Sequence, residues 1–354
     1  MCTRKAATTL RNKRGPLSLG ICLCAALALA GVSLWAAPAG PVPPAQGTAA
    51  PPQGRAQSQP QAPPPARPGE YRLRRDVDLV VLYASVLDEH GNFVPSLDQN
   101  NFRVYEDKVE QKLSTFSRED VPLTVGLVVD NSGSMRDKRE KVIAAALTFV
   151  ETSNPQDEVF VVNFNDEFFL DLDKDFTSNI GELREALERV DSRGGTALYA
   201  ALVGSMDHLK KGTHDKKALL IITDGEDNAS GHITLQSAVE QARKTGTLMY
   251  AVGLLDQDDK KEARHARKAL LTLTSETGGA AYFPSSVEDV QAICKEIARD
   301  VRNQYVLAYY PTNVARDGTF RSVKIDVVNP PHRAGKISVR TRLGYYAPRA
   351  STGD

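Results

Sequence analysis

Three short segments of this chain bring together oxygen-bearing side chains in a pattern that could do chemistry. Asp130-Asn131-Ser132-Gly133-Ser134-Met135 holds one carboxylate and two hydroxyls in a D-x-S-x-S order. Arg193-Gly194-Gly195-Thr196 offers a threonine hydroxyl after two conformationally permissive glycines. Thr223-Asp224-Gly225-Glu226-Asp227 supplies further carboxylates. Each piece alone has a plain structural explanation, since Ser, Thr and Asp are ordinary helix N-caps. Taken together, Asp130, Ser132, Ser134, Thr196 and Asp224 form an oxygen-only ligand set without sulfur or imidazole. Such a set suits a hard cation, Mg²⁺ or else Mn²⁺ or Ca²⁺, rather than Zn²⁺. Two carboxylates and three hydroxyls leave an ion poorly neutralised and its octahedron incomplete. The ion would attract one more anionic oxygen, most naturally a carboxylate from an unidentified protein partner. That is the chemistry of a docking site.

These segments need a scaffold that ends strands where helices begin, and the surrounding sequence predicts one. Residues 123–129 (LTVGLVV) are a nearly continuous apolar run, as a central parallel strand covered on both faces requires. A helix over 138–151 follows, with Val142, Ile143, Ala146, Leu147 and Val150 at helical spacing. Strands at 158–164, 217–223, 247–253 and 280–283 alternate with helices at 179–190, 196–210, 234–245, 259–276 and 286–302. This alternation predicts right-handed crossovers and an α/β, doubly wound, mainly parallel sheet. Ligands gather at the carboxyl ends of the strands in such sheets, where the three segments fall.

Short alternating runs flank that region. Residues 78–86, 102–105 and 111–116 precede it, and 304–310, 320–328 and 336–343 follow it. Alternation broken by polar turns predicts antiparallel strands. Neither set has enough strands for a stable core alone. The expectation is one sandwich-like unit made from both ends of the chain, with Leu82, Val86, Phe102, Val104 and Phe116 sharing a core with Val323, Ile325, Val327, Ile337 and Val339. The alternative is two separate pieces, each paired to an edge of the α/β sheet.

The amino-terminal stretch reads differently. Arg4, Lys5, Arg11, Lys13 and Arg14 precede an uncharged Leu- and Ala-rich run from Leu17 to Ala37. That is the grammar of an export signal, with Ala28-Leu29-Ala30 and Ala37-Pro38-Ala39 as candidate cleavage sites. Cleavage is favoured over retention as an anchor. In either case the rest of the chain is exported, to periplasm, cell envelope or medium, and this segment is its one route to a membrane. Residues 38–70 are rich in Pro, Ala and Gln and lack large apolar side chains, so they predict a disordered tether. The domain reading is therefore 1–37 signal or anchor, 38–70 linker, 71–120 and 304–347 β unit, 121–303 α/β domain and 348–354 tail.

DNSGSM, GGTALY and TDGEDN, in that order, resemble the metal-ion-dependent adhesion site of von Willebrand factor type A domains, over about residues 121–303. The resemblance implies direct coordination by Ser132, Ser134 and Thr196, with Asp130 and Asp224 acting directly or through water. The flanks extend it: residues 75–347 resemble a type A-related family found chiefly in acidobacteria, with Lys108 where that family's turn carries glycine. That family implies export and no defined partner.

Composition narrows the classes further. Acidic and basic residues balance at 44 each, so no general field draws in nucleic acid. Cys2, Cys22 and Cys24 all lie in the first segment, which leaves Cys294 alone in the folded part, without an internal disulfide. Cys294 reads as a small buried apolar side chain. Asp171, Asp173 and Asp175 imitate a calcium loop, but Phe176 stands where its turn glycine is required. They read as acids on one face of an exposed strand before a Thr177 cap. The basic run Lys260–Lys268 reads as a solvated helix face. Tyr309, Tyr310, Tyr345 and Tyr346 read as cover for the β unit. The leading function is a non-enzymatic, cation-dependent protein-binding module. The alternatives are a Mg²⁺ phosphohydrolase, which needs a second carboxylate where this chain has Ser132, and a purely structural envelope scaffold.

Overall fold

The computed structural model describes residues 78–255, 260–330 and 335–350. The expected export signal, the linker, and Cys2, Cys22 and Cys24 lie outside the described residues. Among the described residues, no helix is long and apolar enough to cross a membrane.

The chain opens with β1 (Val80–Leu87), β2 (Phe102–Glu106), β3 (Val109–Gln111) and β4 (Leu113–Ser117). The α/β region follows. It runs β5 (Leu123–Asp130), α1 (Arg139–Thr152), β6 (Glu158–Phe164), β7 (Phe168–Leu170), α2 (Ile180–Glu188) and α3 (Leu198–Leu209). It continues with β8 (Lys216–Thr223), α4 (Leu235–Thr245), β9 (Leu248–Gly253), α5 (Lys260–Thr277), β10 (Ala281–Tyr282) and α6 (Val290–Arg302). The last strands are β11 (Tyr305–Tyr309), β12 (Phe320–Val327), β13 (Ser338–Arg340) and β14 (Gly344–Tyr346).

The central sheet has the order β10-β9-β8-β5-β6-β7. All its pairings are parallel except the β6–β7 edge. Every residue of β5 is buried, because β6 and β8 flank it and helices cover both faces. One face packs on α1, α2 and α6 through residues such as Phe149, Leu183 and Ile297. The other packs on α3, α4 and α5 through Leu202, Val239 and Leu270. Local signals set the helix ends. Asn179 caps α2 by accepting from the Gly181 and Glu182 amides, and Gly246 ends α4 in a left-handed conformation with φ 66°.

Both ends of the chain build the second core. One sheet has the order β13-β1-β11-β4 and the other β14-β12-β2-β3. Val80, Leu82, Ala84 and Val86 point inward from β1 at the period-two spacing of a strand. They meet Phe102, Val104, Leu307, Val323 and Ile325, with Phe116, Val327, Ile337 and Val339 packed around them. The shared core is the one expected from the alternation. Gln304, between α6 and β11, is buried and donates to Ser85 Oγ (3.3 Å) and Tyr250 Oη (3.2 Å). A single side chain thus links β1 to β9.

Several expectations need correction. The sequence reading has no strand at β7, whose three residues are all exposed. It forms because Phe168 to Leu170 fold back on β6 as an antiparallel edge. Asp171, Asp173 and Asp175 do not sit on a strand. They take separate partners, Asn163, Arg189 and Lys211. Thr177 bridges to Val159 rather than capping α2. The helix expected from 138 is preceded by a 3₁₀ turn over Gly133–Lys138. The run 336–343 is not one strand but leads into two short ones, β13 and β14, each on a different sheet. Tyr310 is exposed, unlike Tyr309 and Tyr345.

Candidate metal centre

The five candidate ligands come from three loops at the carboxyl end of the central sheet. Asp130 ends β5, Asp224 directly follows β8, and Thr196 precedes α3. Backbone bonds hold the loops together. Arg193 N–H donates to Asn131 O (2.9 Å), Gly133 N–H to Gly194 O (3.2 Å), and Asn228 N–H to Thr196 O (3.0 Å). Gly194 adopts φ +76°, and a Cβ there would lie 2.0 Å from Asp166 Oδ2. Only glycine fits that turn. The Asp166 carboxylate accepts from the Gly195 amide (2.7 Å), which fixes the loop that presents Thr196.

Asp130 is 1% exposed. Its Oδ1 accepts from the Ser132 amide (2.8 Å) and its Oδ2 from the Thr223 hydroxyl (2.6 Å). Burial pushes its carboxyl up to about 6, against the lowering effect of those two hydrogen bonds, with the Asp224 charge adding a little. Ser132 and Ser134 lie with their hydroxyls 3.1 Å apart, and Ser134 Oγ donates to Asp224 Oδ1 (2.8 Å). Lys138 Nζ lies 2.5 Å from Asp224 Oδ2. Ser132, Thr196 and Asp224 are buried, while Ser134 is exposed and opens the site to solvent.

The hydroxyls test the capping explanation directly. Ser132 stands at the N-cap of the 3₁₀ turn but makes no side-chain cap bond. Ala197, not Thr196, is the N-cap of α3, and Thr196 Oγ1 makes no hydrogen bond among the described residues. Instead Asp227 and Ser230 satisfy the first amides of α3, at Tyr199 (2.9 Å) and Ala200 (2.9 Å). The hydroxyls are therefore not spent on capping, and the donor set fits a hard divalent cation. Among the described residues no group of three or more His, Cys, Asp and Glu is placed to hold a metal, so any ion here depends on hydroxyl ligands.

Four supporting residues escaped the sequence reading: Thr223, Asp166, Asn228 and Lys138. Asn228 Oδ1 accepts from the Thr196 amide (2.8 Å). Asn228 stands within the TDGEDN segment, so its neighbourhood was an available signal. Thr223 opens the same segment, whereas Asp166 and Lys138 act across loops and leave no local mark. The remaining features singled out above lie elsewhere in the fold. Cys294 is buried against the α1 face of the sheet. All five basic residues of α5, Lys260, Lys261, Arg264, Arg267 and Lys268, are exposed.

Residues 125–226 match the family model described as von Willebrand factor type A domain. An uncharacterized protein of Synechocystis sp. is 30% identical over 109 residues, which make up 30% of this chain and 26% of that protein. The similarity thus spans about a quarter of that relative's length. A von Willebrand factor type A structure from Catenulispora acidiphila aligns with a TM-score of 0.43 at 12% identity, over 78% of this chain and 74% of that one. Proximal thread matrix protein 1 of the mussel byssus, with a zinc-occupied MIDAS motif, aligns with a TM-score of 0.44 at 16% identity. That alignment covers 55% of this chain and 49% of the other.

Proposed function

Since this chain carries a von Willebrand factor type A domain, we propose that it is a divalent-cation-dependent protein-binding module, exported from the cell and without enzymatic turnover. Asp130, Ser132, Ser134, Thr196 and Asp224 would hold the ion, with Mg²⁺ the first candidate and Mn²⁺ or Ca²⁺ the others. The observation that carries this reading is the pair of hydroxyls, Ser132 and Thr196, left unused by helix capping beside two buried carboxylates. A bound cation would supply a Lewis-acidic position open to a partner's carboxylate. The protein's own residues do the rest. Asp130, held by Ser132 N–H and Thr223, keeps one negative charge fixed under the site. Gly194 and Asp166 fix the loop that carries Thr196. Exposed Ser134 leaves the approach open.

Export rests on the basic, apolar and small-residue order of residues 1–37. The non-enzymatic reading rests on Ser132, which stands where an Asp-based phosphohydrolase needs its second carboxylate.

Calorimetric titration of the full chain with Mg²⁺, Mn²⁺, Ca²⁺ and Zn²⁺ tests the site. Saturable binding is expected, lost in both Asp130→Ala and Asp224→Ala while the circular dichroism stays native. Unchanged affinity in both variants rules the site out. Capture of a cell-envelope protein with Mg²⁺ but not with chelator tests the binding role. Hydrolysis of phosphate esters that disappears in Asp130→Asn would replace it with the hydrolase.

A further inference from the structure

Lys138 ends the 3₁₀ turn that follows Ser132 and stands immediately before α1. Its ammonium reaches 2.5 Å from Asp224 Oδ2, its one hydrogen bond and ion pair among the described residues. The Asp224 side chain is 2% exposed, whereas that of Lys138 is 30% exposed. The lysine therefore enters from the rim and places its charge inside. Asp224 Oδ1 already accepts from Ser134. Both oxygens of this carboxylate are satisfied, and its charge is balanced, by the chain's own groups.

We propose that Lys138 is a built-in competitor for the divalent cation, holding Asp224 neutralised until an ion displaces its ammonium. The inference rests on the metal-site reading above. Asp130 and Asp224 together offer two negative charges, and Lys138 reduces that sum to one. An entering ion must break the Lys138–Asp224 pair before Asp224 can serve it. One unit charge at contact distance in a partly buried site changes a divalent ion's affinity by about tenfold or more. The lysine's four-carbon stem lets the displaced ammonium swing back to water, so displacement needs no backbone movement. Without an ion, Lys138 also spares the protein a buried, unpaired carboxylate. The device thus stabilises the metal-free state and raises the ion concentration at which the site fills.

The test is calorimetric titration of the full chain with Mg²⁺ and Mn²⁺, on wild type, Lys138→Met, Lys138→Gln and Lys138→Arg. Thermal unfolding is followed with and without ion. Lys138→Met is expected to bind at least about tenfold more tightly, with a lower unfolding midpoint that the ion restores. Lys138→Gln keeps a donor without the charge and guards against a Met variant that fails to fold. It should tighten binding as well, and Lys138→Arg should stay near wild type. If wild type binds and the neutral variants bind equally or more weakly, the competitor role is overturned and the metal site stands. If no variant binds either ion, the metal reading fails and the inference falls with it. Binding by the neutral variants alone would support the inference in its strongest form.

Discussion

Arg321 and Glu106 form an ion pair closed off from water on both sides, with Nη1 3.4 Å from Oε1 and side chains only 2% and 1% exposed. They lie on the paired strands β12 and β2, contributed by opposite ends of the chain. Tyr309 and Tyr345 donate to the other oxygen of Glu106 at 2.8 and 2.7 Å. Burial first, then the Glu106 charge they bond to, pushes both phenols well above their usual range.

This geometry predicts an asymmetry between single and double substitutions. Arg321→Met leaves Glu106 charged and buried without its cation, which costs about 3–5 kcal/mol. Replacing both partners, with Arg321→Met and Glu106→Gln together, should recover much of that loss, because the neutral amide oxygen still accepts from Tyr309 and Tyr345. Urea unfolding of the three variants measures it. A single Arg321→Met loss under about 1 kcal/mol would show that the pair carries little stability.

A chain ending at Asn303 lacks β11, which lies between β1 and β4 in its sheet. It also lacks β12, the partner of β2. Residues 80–117 should then lose amide protection in hydrogen exchange, while the α/β region keeps its own and still binds metal. Full protection of 80–117 in the shortened chain would contradict the shared core.

Lys216 makes stability depend on alkaline pH. It is 3% exposed, donates to Val301 O at 2.5 Å and sits 4.9 Å from the Tyr83 ring. Burial lowers its ammonium from 10.5 to about 8. Between about pH 8 and 10.5 the unfolded chain holds this proton and the folded chain does not, so stability rises with pH across that window. Below it the folded state carries the whole penalty, on the order of a few kcal/mol. Lys216→Met should flatten that rise and be more stable than wild type near neutral pH. Denaturant midpoints from pH 7 to 10.5 decide it, and an unchanged slope in the variant would assign the rise to another group.

Cys294 should be inert in the folded protein. It is fully buried, and burial pushes its thiol up to about 12, which leaves almost no thiolate at neutral pH. Iodoacetamide at pH 8 should leave the Cys294 peptide unmodified until urea is added, as read by mass spectrometry.

By itself the sequence determined the elements whose grammar is local. The apolar run of β5 could only be a strand covered on both faces, and the period-two spacing in β1 already marked which side chains face a core. The order of Asp130, Ser132, Ser134, Thr196 and Asp224 could be read because four of them end or follow a strand that its own residues specify, and Thr196 stands just before a helix that does the same. Tertiary structure alone decided what each charged group meets. Glu106 and Arg321 are 215 residues apart in the chain, and Lys138 and Asp224 are 86 apart. Asp171, Asp173 and Asp175 look like a set along the chain, yet each turns to a different neighbour. Periodicity and capping depend on residues within a few positions of one another. Ion pairs and hydrogen bonds between loops depend on which surfaces the packed core brings together, and no short stretch of sequence contains that information.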